Sequence, residues 1–196
     1  MVTLVSAIVG VVETPADLVL LMDFLNTLDQ RAFRRRGVDF TGGDELPTAA
    51  ALGRWLTEHD LLPASARPAS ADLVRAVDLR SALRAAVTPD GVPDDALRWT
   101  NTVLAAYPLH ASVDPGGRIR LESAASGVTG ALSRLVAIAV RADADGSWRR
   151  LRACAAPECR WVFYDDSRNG AGRWCSMSSC GNRVKTARYR ARKATS

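Results

Sequence analysis

The sequence predicts a mainly α-helical domain with one β-hairpin, followed by a small ββα module that four cysteines hold together. Three observations predict this fold class. Apolar residues recur at helical spacing through most of the first 146 residues. One stretch there has two short strand-like segments on either side of a turn. All four cysteines of the chain lie between positions 154 and 180. We therefore predict two domains, residues 1–146 and residues 147–196.

Composition and charge restrict the class of protein. The chain has 196 residues, of which 47% are hydrophobic and 24% charged, as in globular proteins with an ordinary core. From residue 148 onward there are twelve Arg or Lys and three acidic residues, so the net charge of +5 divides into +9 there and −4 elsewhere. A basic tail on a mildly acidic body is typical of proteins that bind polyanions, and the alternative is a tail that only aids solubility.

The first twelve residues are apolar, but no Lys or Arg precedes them and the run is too short to span a bilayer. We interpret them as a strand or a buried arm rather than an export signal. The sequence offers no other candidate for a membrane span, so we expect a cytoplasmic protein without membrane contact. Cysteines stay reduced in that compartment, which favours metal binding over disulfides.

The first helix is predicted to begin at Thr14 and Pro15, a capping residue followed by a proline suited to the first turn. We expect it to close at residues 34–37. Asp23 and Asn26 lie on the side away from its apolar stripe, where Asn is a poor helix former. These two residues are therefore candidates for binding a ligand, and a solvated face or an internal polar tie is the alternative.

Helical periodicity and turn residues define the other elements of the body. We predict further helices over 48–59, 70–87, 94–106 and 126–142, and a hairpin of residues 109–113 and 118–122. The two histidines stand far apart, without a Cys, Asp or Ser motif nearby. We find no Gly-rich phosphate loop, paired-carboxylate motif or nucleophile elbow, so catalysis has no positive support.

The cysteines form two C-x4-C pairs separated by fifteen residues, namely Cys154, Cys159, Cys175 and Cys180. Two such pairs suit one tetrahedral zinc ion, whose thiolate ligands lie about 2.3 Å from the metal. Unrelated core cysteines or two disulfides are the alternatives. Strands are predicted over 148–153 and 161–164, and Ser176 is predicted to cap the last helix. Zinc would then hold a hairpin to a helix N-terminus and supply much of the folding free energy of the module.

The last helix is predicted to carry cations and hydrogen-bonding groups around all but one buried edge. That edge would consist of Cys180, Val184, Ala187 and Ala191. Its Arg and Asn side chains could reach base edges in a DNA groove, while Lys and Arg could meet phosphates. The residues predicted to contact nucleic acid are Asn182, Arg183, Lys185, Arg188, Arg190, Arg192 and Lys193.

Two stretches resemble known protein families. Residues 173–183 read RWCSMSSCGNR and, with 154–159 and 163–168 upstream, resemble the CGNR zinc finger, which is named for the residues found here at 180–183. Residues 21–27 read LMDFLNT and resemble the signature of the ABATE domain, which normally precedes that finger. The resemblance implies a stress-linked bacterial transcription regulator with a mainly helical N-terminal domain.

The leading hypothesis is a zinc-dependent DNA-binding regulator whose body senses a small molecule or mediates homodimerisation. A second hypothesis is a module that binds a small molecule or a protein, with a purely structural zinc and no DNA binding. A third is an enzyme that uses the polar cluster on the first helix. Zinc chemistry is disfavoured in that case, since four thiolates leave the metal no open position for water.

Overall fold

The computed structural model describes residues 14–35, 37–88 and 91–194. The predicted apolar N-terminal arm lies outside these residues. The helices of the body are α1 (Ala16–Asn26), α2 (Ala49–Glu58), α3 (Ser70–Ala86), α4 (Asp94–Leu104) and α5 (Gly127–Ala144). Among the described helices, none is both long enough and apolar enough to cross a membrane.

The core of the body lies where α1, α3 and α5 meet, with α2 and α4 packed against α3. Leu21, Leu79 and Leu132 supply fully buried side chains from these three central helices. The ring of Phe24 contacts that of Trp55, with centroids 5.5 Å apart, and so fastens α2 to α1. The amphipathic periods of the sequence thus face one shared core, as predicted.

The first helix ends at Asn26, so the prediction that it closes at residues 34–37 is wrong. Four short strands after the helix instead form two nested antiparallel pairs, in which β1 pairs with β4 and β2 with β3. The strands are β1 (Leu28–Asp29), β2 (Phe33–Arg35), β3 (Val38–Phe40) and β4 (Gly43–Asp44).

Local polar contacts turn the chain shortly after the helix ends. The Asp29 carboxylate accepts the backbone N–H of Arg31 at 2.8 Å and pairs with its guanidinium at 2.6 Å, which turns the chain sharply. Phe33 and Phe40 stack across the inner pair with ring centroids 4.8 Å apart. Gly42 has φ +69°, and a Cβ there would lie 2.6 Å from the Asp29 carbonyl oxygen, so the turn requires glycine.

Two arginines of α3 are buried, a feature that the sequence patterns did not predict. Arg80, only 2% exposed, makes a two-pronged ion pair with Asp44 at 2.7 Å and also donates to the Thr27 hydroxyl. Arg84 donates to the Leu25 carbonyl at 2.6 Å, and burial lowers the pKa of its guanidinium to about 10. These bonds fasten the nested strands and the end of α1 to α3.

The predicted hairpin is confirmed as β5 (His110–Val113) paired with β6 (Ile119–Glu122). The C-terminal segment begins with a 3-10 turn, Ser147–Arg150, so only the second half of the strand predicted over 148–153 is extended. Its further elements are β7 (Leu151–Ala153), β8 (Val162–Tyr164), a π-helical turn (Met177–Gly181) and α6 (Asn182–Ala194). The predicted fold class, mainly α with a small C-terminal cysteine module, is confirmed, although the described part of the body has three strand pairs rather than one.

The C-terminal module shares its core with the body. Leu151, Ala153 and Val162 of the β7–β8 pair belong to the same buried cluster as the helices. The Ala153 amide donates to the Val87 carbonyl at the end of α3, at 2.9 Å. The division into domains 1–146 and 147–196 stays a sequence prediction, and the two segments are packed as neighbours without an intervening linker.

Candidate metal centre and basic helix

The sulfur atoms of Cys154, Cys159, Cys175 and Cys180 all lie within 4.8 Å of one another. The Cys159–Cys175 and Cys175–Cys180 sulfur separations are both 3.7 Å. Sulfurs placed about 2.3 Å from one central ion at tetrahedral angles would be about 3.8 Å apart. All four thiols are free, so the alternative of two disulfides does not hold. The donor set and its spacing therefore fit one tetrahedral metal ion.

Short turns bring the two cysteine pairs together. The Cys154 amide donates to the Trp161 carbonyl at 2.9 Å where β7 and β8 diverge, and Arg160 turns the chain with φ +52°. The second pair is set by the π-helical turn, in which the Gly181 amide donates to the Ser176 carbonyl. A Cβ on Gly181 would lie 2.5 Å from the Met177 sulfur, so the Met177 side chain would have to move to admit a larger residue there.

Ser176 precedes the π-helical turn, and its side chain makes no capping bond to the helix backbone. The prediction that it caps the last helix is therefore wrong in detail. The Ser176 hydroxyl instead bonds that of Ser178 at 3.0 Å, and α6 itself begins only at Asn182. Cys180 consequently lies in the turn that leads into the helix, one position before Gly181.

The buried thiols cannot all ionise without a cation between them. Cys154, Cys159 and Cys180 are almost fully buried, and Cys175 is half-buried. Hydrogen bonds from Cys159 and Cys175 lower the pKa of Cys154, whereas the Cys154 thiolate raises the pKa values of Cys159 and Cys175. A divalent ion held by these four sulfurs would remove this competition, because a coordinated thiol is deprotonated.

Arg183 faces the metal centre, although the sequence predicts it as a nucleic-acid contact. Its Nε donates to Glu158 at 2.7 Å, and Nη2 lies 3.7 Å from the Cys180 sulfur. Its guanidinium also lies 3.7 Å from the centroid of the Phe33 ring in β2. Arg183 thus joins the metal ligands, the first cysteine turn and the body, and it neutralises part of the negative charge of the thiolates.

Arg31 and Glu158 also lie next to the metal centre, and the sequence patterns did not predict a role for either. The guanidinium of Arg31 lies 4.1 Å from the Trp161 ring centroid and 5.1 Å from that of Phe40. The Ala32 amide donates to the Glu158 carbonyl at 2.9 Å. The hairpin of β2 and β3 therefore covers one side of the metal centre, and the body contributes directly to its surroundings.

Asn26 connects α1 to the metal-binding module. Its side-chain amide donates to the Val162 carbonyl at 2.8 Å and accepts the Val162 amide at 2.9 Å. Both polar atoms of the side chain are thereby engaged in a buried site, which favours the internal polar tie over a ligand contact. Asp23 is exposed on the same helix. Ligand binding by Asp23 stays a prediction, and for Asn26 the geometry supports the alternative.

Asp165 organises the loop that delivers Cys175. It is 3% exposed, and its carboxylate accepts the amides of Ser167 and Gly172 at 3.1 and 2.6 Å. Burial acts to raise the pKa of this carboxyl group, but these hydrogen bonds outweigh it and hold the pKa below its usual value. The sequence predicts only a turn here, because no local pattern shows that the carboxylate points inward.

Helix α6 extends away from the metal centre with its side chains in solvent. Val184 is half-buried against the cysteine cluster, but Ala187 and Ala191 are exposed, so the buried edge is shorter than predicted. Six of the thirteen residues of the helix are Arg or Lys, and none is acidic. Apart from Arg183, all the residues predicted to contact nucleic acid are exposed: Asn182, Lys185, Arg188, Arg190, Arg192 and Lys193.

Comparison with known protein families agrees with this arrangement. Residues 150–193 match the model of the CGNR zinc finger. Residues 18–156 match the ABATE model, described as "Putative stress-induced transcription regulator". No curated protein matches the chain. The ABATE match covers well over half of the sequence, and its helices and nested strands hold the cysteine cluster in place; the chain therefore belongs to the ABATE family and carries a CGNR zinc finger at its C-terminus.

Proposed function

We propose that the protein is a zinc-dependent DNA-binding regulator that contacts DNA through α6. The observation that carries this proposal is the solvent-exposed basic face of a helix whose base is fixed by the four-cysteine cluster. Helix α6 has no acidic residue, and Lys185, Arg188 and Arg190 present their charges to phosphates from exposed positions. A regulator family and a zinc-finger family both match the chain, which supports the same function.

We propose Zn²⁺ as the ion. Four thiolates in a tetrahedral arrangement are typical of structural zinc, and they leave no coordination position for water. This supports a structural role for the metal and gives no support to the enzyme hypothesis. Cysteine thiolates escape oxidation to disulfides in a reducing compartment, so we place the protein in the cytoplasm.

Lys185→Ala/Arg188→Ala tests the DNA-binding role of α6. Both side chains are exposed and neither contacts the cysteines, so zinc content should not change. Removing two phosphate contacts should reduce the slope of log K against log salt concentration by about 1.8 for duplex DNA. Fluorescence anisotropy with one mixed-sequence duplex at several salt concentrations measures this slope.

The matched control is Arg54→Ala/Arg98→Ala, which removes two exposed arginines from α2 and α4. Its slope should equal that of the wild type, since a general loss of charge is screened at these salt concentrations. Zinc-loaded wild-type protein that ignores DNA at low salt would refute the proposed function. Equal slopes for the two double variants would refute the role given to α6.

A cavity in the body supports a second role, the sensing of a small molecule. Its volume is about 910 Å³, and it lies between α5, the start of α1 and β6. Leu20, Leu62 and Ile138 supply an apolar lining. Four arginines also line it: Arg118, Arg120, Arg134 and Arg141. Arg141 pairs with Asp17 at 2.7 Å and Arg120 with Asp114 at 2.8 Å, which leaves Arg118 and Arg134 against Glu122. The lining therefore keeps a net positive charge, and we propose an effector with an apolar body and an anionic head.

Decanoate and decylamine test the preference for an anionic effector. They share an apolar chain of the same length and differ in the sign of the charge on the head group. We expect calorimetry to detect binding of decanoate that Arg134→Ala weakens, and no binding of decylamine. Equal binding of both compounds, or of neither, would contradict an anionic effector. The alternative role of the body, homodimerisation, would be detected as a concentration-dependent mass by sedimentation.

A further inference from the structure

A cationic groove separates β2 from the start of α6. Its volume is about 440 Å³. Arg34 and Arg35 line it from β2, and Asn182, Thr186 and Arg190 line it from α6. Among the described residues that line the groove, none is acidic. The N-terminal body therefore contributes two arginines to a surface that the sequence assigns to the zinc finger alone.

The two walls of the groove are fixed relative to each other. Arg183 also lines the groove, and it pairs with Glu158 at 2.7 Å and stacks on the ring of Phe33, the residue before Arg34. Phe33 in turn stacks on Phe40 of the neighbouring strand. Because these contacts join β2 to the base of α6, the arginines of one wall face the polar groups of the other without a flexible linker.

The charge at the groove is weakly compensated. Arg34 pairs with Asp39 at 3.5 Å, but the two side chains are 72% and 63% exposed, so the pair contributes little and a competing anion can replace it. Hydroxyl and amide groups from the π-helical turn and α6 supplement the guanidinium groups, among them those of Ser179, Asn182 and Thr186. Cations combined with neutral donors are the usual partners of phosphodiester oxygens.

We propose that this groove binds the sugar–phosphate backbone of the same DNA that α6 contacts, with Arg34 and Arg35 as phosphate-binding residues from the body. This inference rests on the proposed DNA binding. The nucleic-acid interface then consists of two parts, the outer face of α6 and the β2 wall of the groove. Both are positioned by the metal centre, through Arg183 and Phe33.

Arg34→Ala/Arg35→Ala tests the groove. We expect the slope of log K against log salt concentration to decrease in magnitude by about 1.8, and affinity to fall on the order of 60-fold at 100 mM salt. The control is again Arg54→Ala/Arg98→Ala, which removes the same charge from residues that do not line the groove. Zinc content and far-UV circular dichroism should match the wild type in both variants.

Arg34→Lys/Arg35→Lys separates phosphate binding from a structural role, since lysine keeps the charge. We expect this variant to retain the wild-type slope. If the alanine variant behaves like the control while the wild type binds DNA, the groove is not a phosphate site and the proposed function still stands. If the lysine variant loses slope as alanine does, the arginines act structurally and the inference is wrong. If the wild type does not bind DNA, both proposals fail.

Discussion

Cys154→Ser should release the zinc ion and destabilise the whole chain, including helices that make no contact with the metal. Cys154 is fully buried in the cluster, and three ligands hold zinc far less tightly than four. Structural zinc contributes about 10 kcal/mol or more to the folding of small finger peptides. Because β7 and β8 belong to the core of the body, part of this loss should lower the midpoint of thermal unfolding by about 10 °C or more.

Ser178→Ala is the control for this variant. Ser178 is exposed in the same turn as Cys180 and bonds only the hydroxyl of Ser176, so zinc content and unfolding temperature should stay near the wild-type values. Metal analysis and thermal unfolding measure both quantities. A Cys154→Ser protein that keeps one zinc per chain and its wild-type unfolding temperature would contradict the assignment of the four ligands.

Asn26→Ala should reduce the free energy of unfolding by about 2–6 kcal/mol. The substitution leaves both the amide and the carbonyl of Val162 buried without their partner, and each such group costs about 1–3 kcal/mol. Val162 pairs with Ala153, the residue before Cys154, so the loosened strand should also weaken zinc retention. Urea unfolding at fixed zinc concentration and competition with a chelator measure the two effects.

Asp23→Ala provides the contrast, since Asp23 is exposed on the same helix. We expect a change in unfolding free energy within about 0.5 kcal/mol, as for most surface substitutions. Equal effects of the two substitutions would show that Asn26 does not tie α1 to the module. The pair of variants therefore also tests whether these residues share one function.

The clustering of the four cysteines could be predicted from the sequence because their spacing is local. The two C-x4-C pairs have equal spacing and are bounded by turn residues, so few other contacts are required to bring their sulfur atoms together. The structure brings Cys154 and Cys180 together as predicted. The same holds for α2 and for the β5–β6 hairpin, whose apolar periods and turn residues lie within one short segment.

The surroundings of the metal could not be predicted, because they depend on contacts between distant segments. Arg183 follows the second cysteine pair in a basic run. It faces the metal centre because it contacts Glu158 and Phe33, which are distant in the sequence. The nested strands were not predicted for a related reason: they depend on a contact between distant residues. Arg80 of α3 stabilises them by pairing with Asp44, 36 residues away. Periodicity does not detect an arginine on a buried face.

The structure also alters how the two parts of the chain relate. A zinc finger on a linker would act independently of the body, whereas Asn26, Arg84 and the β2–β3 hairpin attach this one to α1 and α3. Arg84 donates to the Arg160 carbonyl between the first cysteine pair and β8 at 2.9 Å. If the body binds the proposed effector, the resulting change can reach α6 through direct contacts rather than through a flexible segment.

The most direct test of the account compares DNA binding by zinc-loaded and zinc-stripped wild-type protein on one duplex at 100 mM salt. We expect the zinc-loaded protein to bind at least tenfold more tightly, with a salt slope that reports several phosphate contacts, and readdition of zinc to restore that affinity. Equal affinity and equal salt slope in the two states would contradict the claim that the metal centre positions the basic helix for DNA.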